Sequence, residues 1–181
     1  MDTSKTNVLK QLLIDSESDI KQKWLDQIIE TYPADTSRFL VQEKDRFLNP
    51  VGFTLEQAIQ TIFHEFLTGT DREKLSTALH DIIKIRSVQE FSPSEALRII
   101  FILKKVIREE LGAEIARKKL FDELFAFESG IDELMLLCFD IYSQCREKIY
   151  EIKFREIKNR HYKLLERMNI FKEEDDDQKQ D

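Results

Sequence analysis

The stretch Ile131–Phe171, IDELMLLCFDIYSQCREKIYEIKFREIKNRHYKLLERMNIF, contains neither glycine nor proline. As a single helix rising about 1.5 Å per residue it would be about 60 Å long. A compact domain of roughly 150 residues, the length of chain around and before it, has a diameter of only about 38 Å. The helix must therefore either bend back or continue past its own globule, and its pattern favours the second. Tyr150, Phe154, Ile157, His161, Leu164, Met168 and Phe171 follow one another at alternating steps of four and three. That is a heptad seam, narrower than the apolar face of an ordinary core helix. Each large apolar side chain on it gains about 1.5–3 kcal/mol when buried. The seam calls for a partner, and a second copy of the chain is the simplest. The competing reading folds the helix back onto its own domain. His161 lies within the seam, where it either tunes register as a polar residue or brings in charge when protonated at low pH.

Working back towards the N-terminus, Pro33, Pro50, Gly52, Gly69, Pro93, Gly112 and Gly130 punctuate the chain, and apolar residues between them recur at three- and four-residue steps. Val8, Leu9, Leu12 and Leu13 form a first short helix. Ser16 is placed to cap a second, carrying Ile20, Trp24 and Ile28, which Tyr32-Pro33 ends. Residues 35–49 read as short helical turns. Thr54 with Gln57, and Thr70 with Glu73, have the spacing of capping boxes ahead of Ile59–Phe66 and Leu75–Ile83. Ser92-Pro93-Ser94-Glu95 is the strongest start signal, with a Ser cap, Pro at the first helical position and Glu at the third. Its helix is expected to end at Leu111-Gly112, another to span 114–128, and the last to begin near Ile131. No segment alternates with period two between hairpin turns, so the fold class is all-α, a helical bundle with a long C-terminal helix.

Composition agrees. The chain has 181 residues, 41% hydrophobic and 35% charged, with a net charge of −7, four Gly and three Pro. The apolar share is too high for a disordered chain, and no apolar run reaches the length of a membrane span. A cytoplasmic location without membrane insertion is the expectation. Cys138 and Cys145 stand seven apart on one helix, roughly 10 Å between Cα atoms, too far for a disulfide. They read as packed thiols, with a redox sensor as the alternative. Lys172–Asp181 holds six acids and two bases, an acidic tail; Arg146–Arg167 holds eight bases mixed with four acids. Mixed signs indicate a solvated helix surface rather than a nucleic-acid site.

The search for chemistry finds no enzyme. His64-Glu65-Phe66-Leu67-Thr68 begins like a zinc-protease motif but lacks the second histidine. The same residues resemble the phosphoacceptor box of histidine kinases, which makes a phosphorelay intermediate at His64 one alternative. His80, alone mid-helix, suggests a haem-binding or gas-sensing protein as another. There is no Gly-rich phosphate loop, CxxC pair or GxSxG elbow. No catalytic residue, metal ligand or cofactor is expected. An inward pocket lined by residues such as Trp24, Phe63 or Phe101 is a place for a small apolar signal.

Trp24 with Thr31-Tyr32-Pro33, then Arg46-Phe47-Leu48-Asn49-Pro50-Val51-Gly52, then Phe91-Ser92-Pro93-Ser94-Glu95-Ala96-Leu97 with Leu103-Lys104, form a set. In this order and spacing it resembles the N-terminal domain of RsbRD-type RsbT co-antagonists over roughly residues 8–150. The resemblance implies a globin-like sensor domain, generally without haem, that dimerises. In stressosome proteins it precedes a linking helix, which residues 131–171 match, and a C-terminal STAS domain that engages a partner-switching kinase. The thirty or so residues after 150 are too few for a STAS domain. Read physically, Trp24, Tyr32, Pro33, Asn49, Pro50, Gly52, Phe91, Ser92 and Pro93 are structural: Pro33 and Pro50 stop helices, Gly52 permits a backbone conformation closed to other residues, and Ser92-Pro93 starts a helix. The expected organisation is a globin-like sensor over 1–150, a protruding linking helix or coiled coil over 151–172, and an acidic tail over 173–181. The expected function is non-enzymatic signalling in a stress response: a homodimer relaying a signal through its last helix to a regulatory protein whose identity the sequence leaves open.

Overall fold

A computed structural model describes residues 3–89 and 91–167. Every regular element among them is helical: α1 (Thr3–Asp15), α2 (Glu17–Ile29), α3 (Ala34–Gln42), α4 (Pro50–Thr68), α5 (Arg72–Val88), α6 (Pro93–Lys118) and α7 (Phe121–Arg167). The chain divides into two units, Met1–Ser143 and Gln144–Asp181. In the first, α4 packs most extensively on α5 and α2 on α6. Ile20, Trp24 and Ile28 of α2, Ile59, Ile62 and Phe63 of α4, Leu79, Ile82 and Ile83 of α5, and Ile99, Leu103 and Val106 of α6 are fully or almost fully buried. These are the i, i+3, i+4 faces that the sequence displays, closed against one another. The described part of the second unit is the end of α7.

The helix ends show where local signals suffice. Ser92 Oγ accepts from the Glu95 amide while the Glu95 carboxylate accepts from the Ser92 amide, a complete capping box with Pro93 behind it. Gly69 closes α4 in the left-handed region, at φ 65°. Other expectations need correction. Ser16 precedes α2 but makes no side-chain cap bond. Thr54 lies inside α4, its hydroxyl donating to the Pro50 carbonyl, because the helix starts four residues earlier. Asp71, not Thr70, caps α5, accepting from the Glu73 and Lys74 amides, while Thr70 donates to the buried Glu65 carboxylate at 2.5 Å.

Pro50 opens α4 instead of stopping a helix, and Pro33 leads into α3. Gly112 and Gly130 break nothing: α6 passes through the first and turns out only at Lys119, whose φ is 56°, and α7 passes through the second. The last helix therefore starts ten residues before Ile131 and is 47 residues long. At Gly130 the reason for glycine is packing, since a Cβ there would stand 3.0 Å from Phe66 Cζ.

Gly52 also has a steric role in place of the conformational one expected. It sits in the first turn of α4, its amide donating at 2.8 Å to the Oδ1 of Asn49, the N-cap. Asn49 is buried, and its Nδ2 donates to the carbonyls of Leu40 and Glu43, tying the end of α3 to the start of α4. A Cβ on residue 52 would lie 2.3 Å from that Nδ2. Gly52→Ala should therefore cost about 1–3 kcal/mol through the lost cap. In an Asn49→Ala background the collision vanishes, and the same change should be neutral or stabilise by up to about 1 kcal/mol, the ordinary Gly-to-Ala gain in a helix. Urea unfolding of the four proteins in this cycle measures the coupling.

Candidate functional site

Two of the three motif segments meet around a residue that the sequence reading passed over. Arg86, near the end of α5, has no solvent exposure. Its guanidinium lies 3.9 Å from the centre of the Phe91 ring and 5.3 Å from that of Tyr32, and the two rings meet edge to face. Nη2 donates to the Thr31 hydroxyl at 3.1 Å and to the Glu95 carbonyl at 3.0 Å. Thus Thr31-Tyr32 after α2, Arg86 on α5 and Phe91 to Glu95 at the start of α6 form one cluster. α7 joins it through Tyr142, whose hydroxyl donates to the Phe91 carbonyl at 2.7 Å. Trp24 extends it with an indole N–H bond to the Ile99 carbonyl at 2.7 Å.

Among the described residues no carboxylate forms an ion pair with Arg86. Burial pushes its pKa down, and burial pushes the Tyr32 phenol up against the opposing pull of the arginine. Among the described residues Arg86 Nε and Nη1 and the Tyr32 hydroxyl make no well-formed hydrogen bond, although the guanidinium and the phenol lie close enough to interact electrostatically. The ring faces supply part of what a counter-ion would, since a desolvated cation over an aromatic gains about 2 kcal/mol. The signal for Arg86 was present in the sequence: it continues the Leu79, Ile82, Ile83 face of α5 at the next i+3 position.

The third motif segment builds the Asn49 knot and leaves Phe47 and Leu48 exposed beside it. Of the expected pocket residues, Trp24 and Phe63 are fully buried packing residues, whereas Phe101 is 56% exposed, so they do not share a pocket. His64 and His80 both face solvent. The carboxylate beside His64 is engaged elsewhere, in accepting from Thr70 and Asp71. The exposed side of α5 gives His80 no enclosed place for a haem. Cys138 is buried and its thiol pushed up to about 12 by burial, which makes it an inert packed thiol; Cys145 is half-buried. Among the described residues no cluster of three or more His, Cys, Asp or Glu side chains is arranged to hold a metal. No helix there is long and apolar enough to cross a membrane.

On α7 the seam residues Tyr150, Phe154, Ile157, His161 and Leu164 are all exposed, Phe154 to 69%. Met168, Phe171 and the acidic tail lie outside the described residues.

These features are a helical body tied at its turns by buried side-chain bonds and a last helix with an apolar stripe exposed. The chain belongs to the family of the RsbT co-antagonist protein rsbRD N-terminal domain, whose model matches residues 18–156. That family makes it a regulatory, sensory domain of the stressosome type. An uncharacterized protein of Archaeoglobus fulgidus is 26% identical over 136 residues, which cover 74% of this chain and 79% of that one. No solved structure matches significantly.

The cluster makes a prediction that runs against charge conservation. Arg86→Lys places a strongly hydrated ammonium where it cannot span Thr31 and Glu95, and should cost about 3–5 kcal/mol. Arg86→Met removes the charge and keeps the volume, and should cost clearly less. Chemical denaturation of both variants gives the order; the reverse order would mean that the positive charge itself holds the cluster together.

Proposed function

We propose that the chain is a cytoplasmic, non-enzymatic sensor that forms a homodimer through the end of α7 and passes a change in the packing of its body to a regulatory protein. The observation that carries this reading is the exposed seam. Tyr150, Phe154, Ile157 and Leu164 are large apolar residues in heptad register, all left in water. Covering them against a twin helix gains about 1.5–3 kcal/mol per side chain, enough in sum to offset the cost of association. Membership of a regulatory family supports the sensory half of the reading.

The relay has a physical route. The Tyr142 hydroxyl holds the turn between α5 and α6 through the Phe91 carbonyl, and Tyr142 lies two turns before Tyr150 on the same helix. A signal that changes the packing around Phe91 and Arg86 alters the constraint on α7. The dimer then responds as a change in register or splay, provided that the signal binds one of the two states more tightly.

Sedimentation at tens of micromolar protein should show a dimer. Phe154→Glu with Ile157→Glu in the full chain, and truncation before Tyr150, should each weaken it at least tenfold, about 1.4 kcal/mol or more. Helicity of the body should be unchanged by circular dichroism. An assembly state indifferent to both changes would remove the relay.

A further inference from the structure

The seam fixes a heptad register on the end of α7. Phe154 and His161 stand at a, Ile157 and Leu164 at d, and the edges beside them are positions e and g. The g positions from 146 to 167 are all basic: Arg146, Lys153, Arg160 and Arg167. At e, Glu151 is followed by Lys158. Between 153 and 163 stand five bases, Lys153, Arg155, Lys158, Arg160 and Lys163, and one acid, Glu156, in a chain whose net charge is −7. Every residue of that stretch is exposed. Among the described residues Lys153, Lys158 and Arg160 enter no ion pair, whereas Lys148 pairs with Glu151 at 3.3 Å.

A second copy answers this edge poorly. In a parallel pair g meets e of the following heptad, so Lys153 meets Lys158 of the twin. In an antiparallel pair g meets g, and bases oppose one another along the whole edge. An acidic helix removes the repulsion. Acids at its e positions meet Lys153 and Arg160, acids at its g positions meet Lys158, and its apolar a and d residues cover Phe154, Ile157 and Leu164. Charge alone does not suffice. Residues 173–181 of this chain are acidic but include no apolar side chain, and a nucleic acid offers none in heptad spacing. A membrane-surface helix gathers its apolar residues on one face, whereas Ile152 and Tyr162 are exposed off this stripe.

We infer that the end of α7 binds an acidic amphipathic helix of another protein, in heptad register, through its seam and its basic g edge. The inference rests on the reading of the seam as a pairing surface, and it gives the regulatory protein of that reading a chemistry: acids flanking an apolar stripe. Twin and partner compete for one face of α7, and the partner has the better-matched flanks.

The test titrates the full chain, by fluorescence anisotropy, into two labelled four-heptad peptides with Ile at a and Leu at d. One carries Glu at every e and g position, the other Lys. The Glu peptide should bind at least tenfold more tightly. General attraction would give the opposite order, because the chain is acidic overall. Lys153→Glu with Arg160→Glu should reverse the preference. Lys153→Glu alone should weaken the Glu peptide yet tighten self-association in sedimentation, since it turns the contact with Lys158 of the twin into an attraction; a folding defect would weaken both. Equal binding of the two peptides, binding of neither, a preference unchanged by the double variant, or tighter binding of a DNA duplex or of phosphatidylserine vesicles would each overturn the inference. So would binding that appears only once residues 173–181 are removed, which would make the acidic tail the occupant. A chain that binds the Glu peptide but never self-associates would sink the homodimer alone, whereas a dimer indifferent to the sign of the peptide would sink this inference alone.

Discussion

Every helix end leaves backbone amides or carbonyls without intrahelical partners, and a chain with four glycines has few of the usual ways to satisfy them. Here side chains from neighbouring segments supply many of the missing partners. Asn49 takes the carbonyls of Leu40 and Glu43 and returns an acceptor to Gly52. Glu65 accepts from the Asp71 amide ahead of α5, and Tyr142 donates to Phe91 ahead of α6. Each bond joins two elements, so the turns are tertiary joints as well as caps. Residues at turns then matter more to the packing than their position in the chain suggests, and the motif segments are turns.

Arg86 is the costly member of this scheme. A buried cation is a net burden that packing and hydrogen bonds must offset. Thr31, the Glu95 carbonyl and two ring faces do so from the end of α2 and the start of α6 at once. Removing any one of them leaves the rest to hold an unbalanced charge. The arrangement of α2, α5 and α6 at this end of the bundle is therefore set jointly.

The sequence was most legible where the determinant was local. The capping box of Ser92 and Glu95 needs four consecutive residues and was read correctly. All-helical architecture followed from periodicity and from the scarcity of strand patterns, and it holds throughout the described residues. Gly112 and Gly130 lie inside helices, because a glycine marks a break only when the chain around it turns. At Gly130 the deciding neighbour, Phe66, is distant in sequence. Thr54 with Gln57 has the local spacing of a capping box, whereas the role of Asn49 as the cap depends on its bonds to Leu40 and Glu43 as well as to Gly52. Arg86 gives no sign in the sequence of what it meets, because its partners are set by tertiary packing. Its aromatic partners lie far away at Tyr32 and close by at Phe91. The burial of Glu123 in the first turn of α7 leaves no mark in the sequence, since a first-turn acid is ordinary in any helix.

The charge pattern beside the seam bears on how tightly such a helix can pair. With Phe154 and His161 at the a positions and Ile157 and Leu164 at d, the flanking e and g positions hold Glu151, Lys153, Lys158 and Arg160. In a parallel pair Arg146 faces Glu151 of the twin, which attracts, whereas Lys153 faces Lys158, which repels. The seam thus gains from burial but little from its flanks, and an imidazole at an a position lowers the gain again. A pair formed on this seam would be weak enough to change register or separate for a few kcal/mol. A relay needs an equilibrium that differential binding of that size can shift. A seam of leucines with matched flanks would be more stable and would transmit nothing.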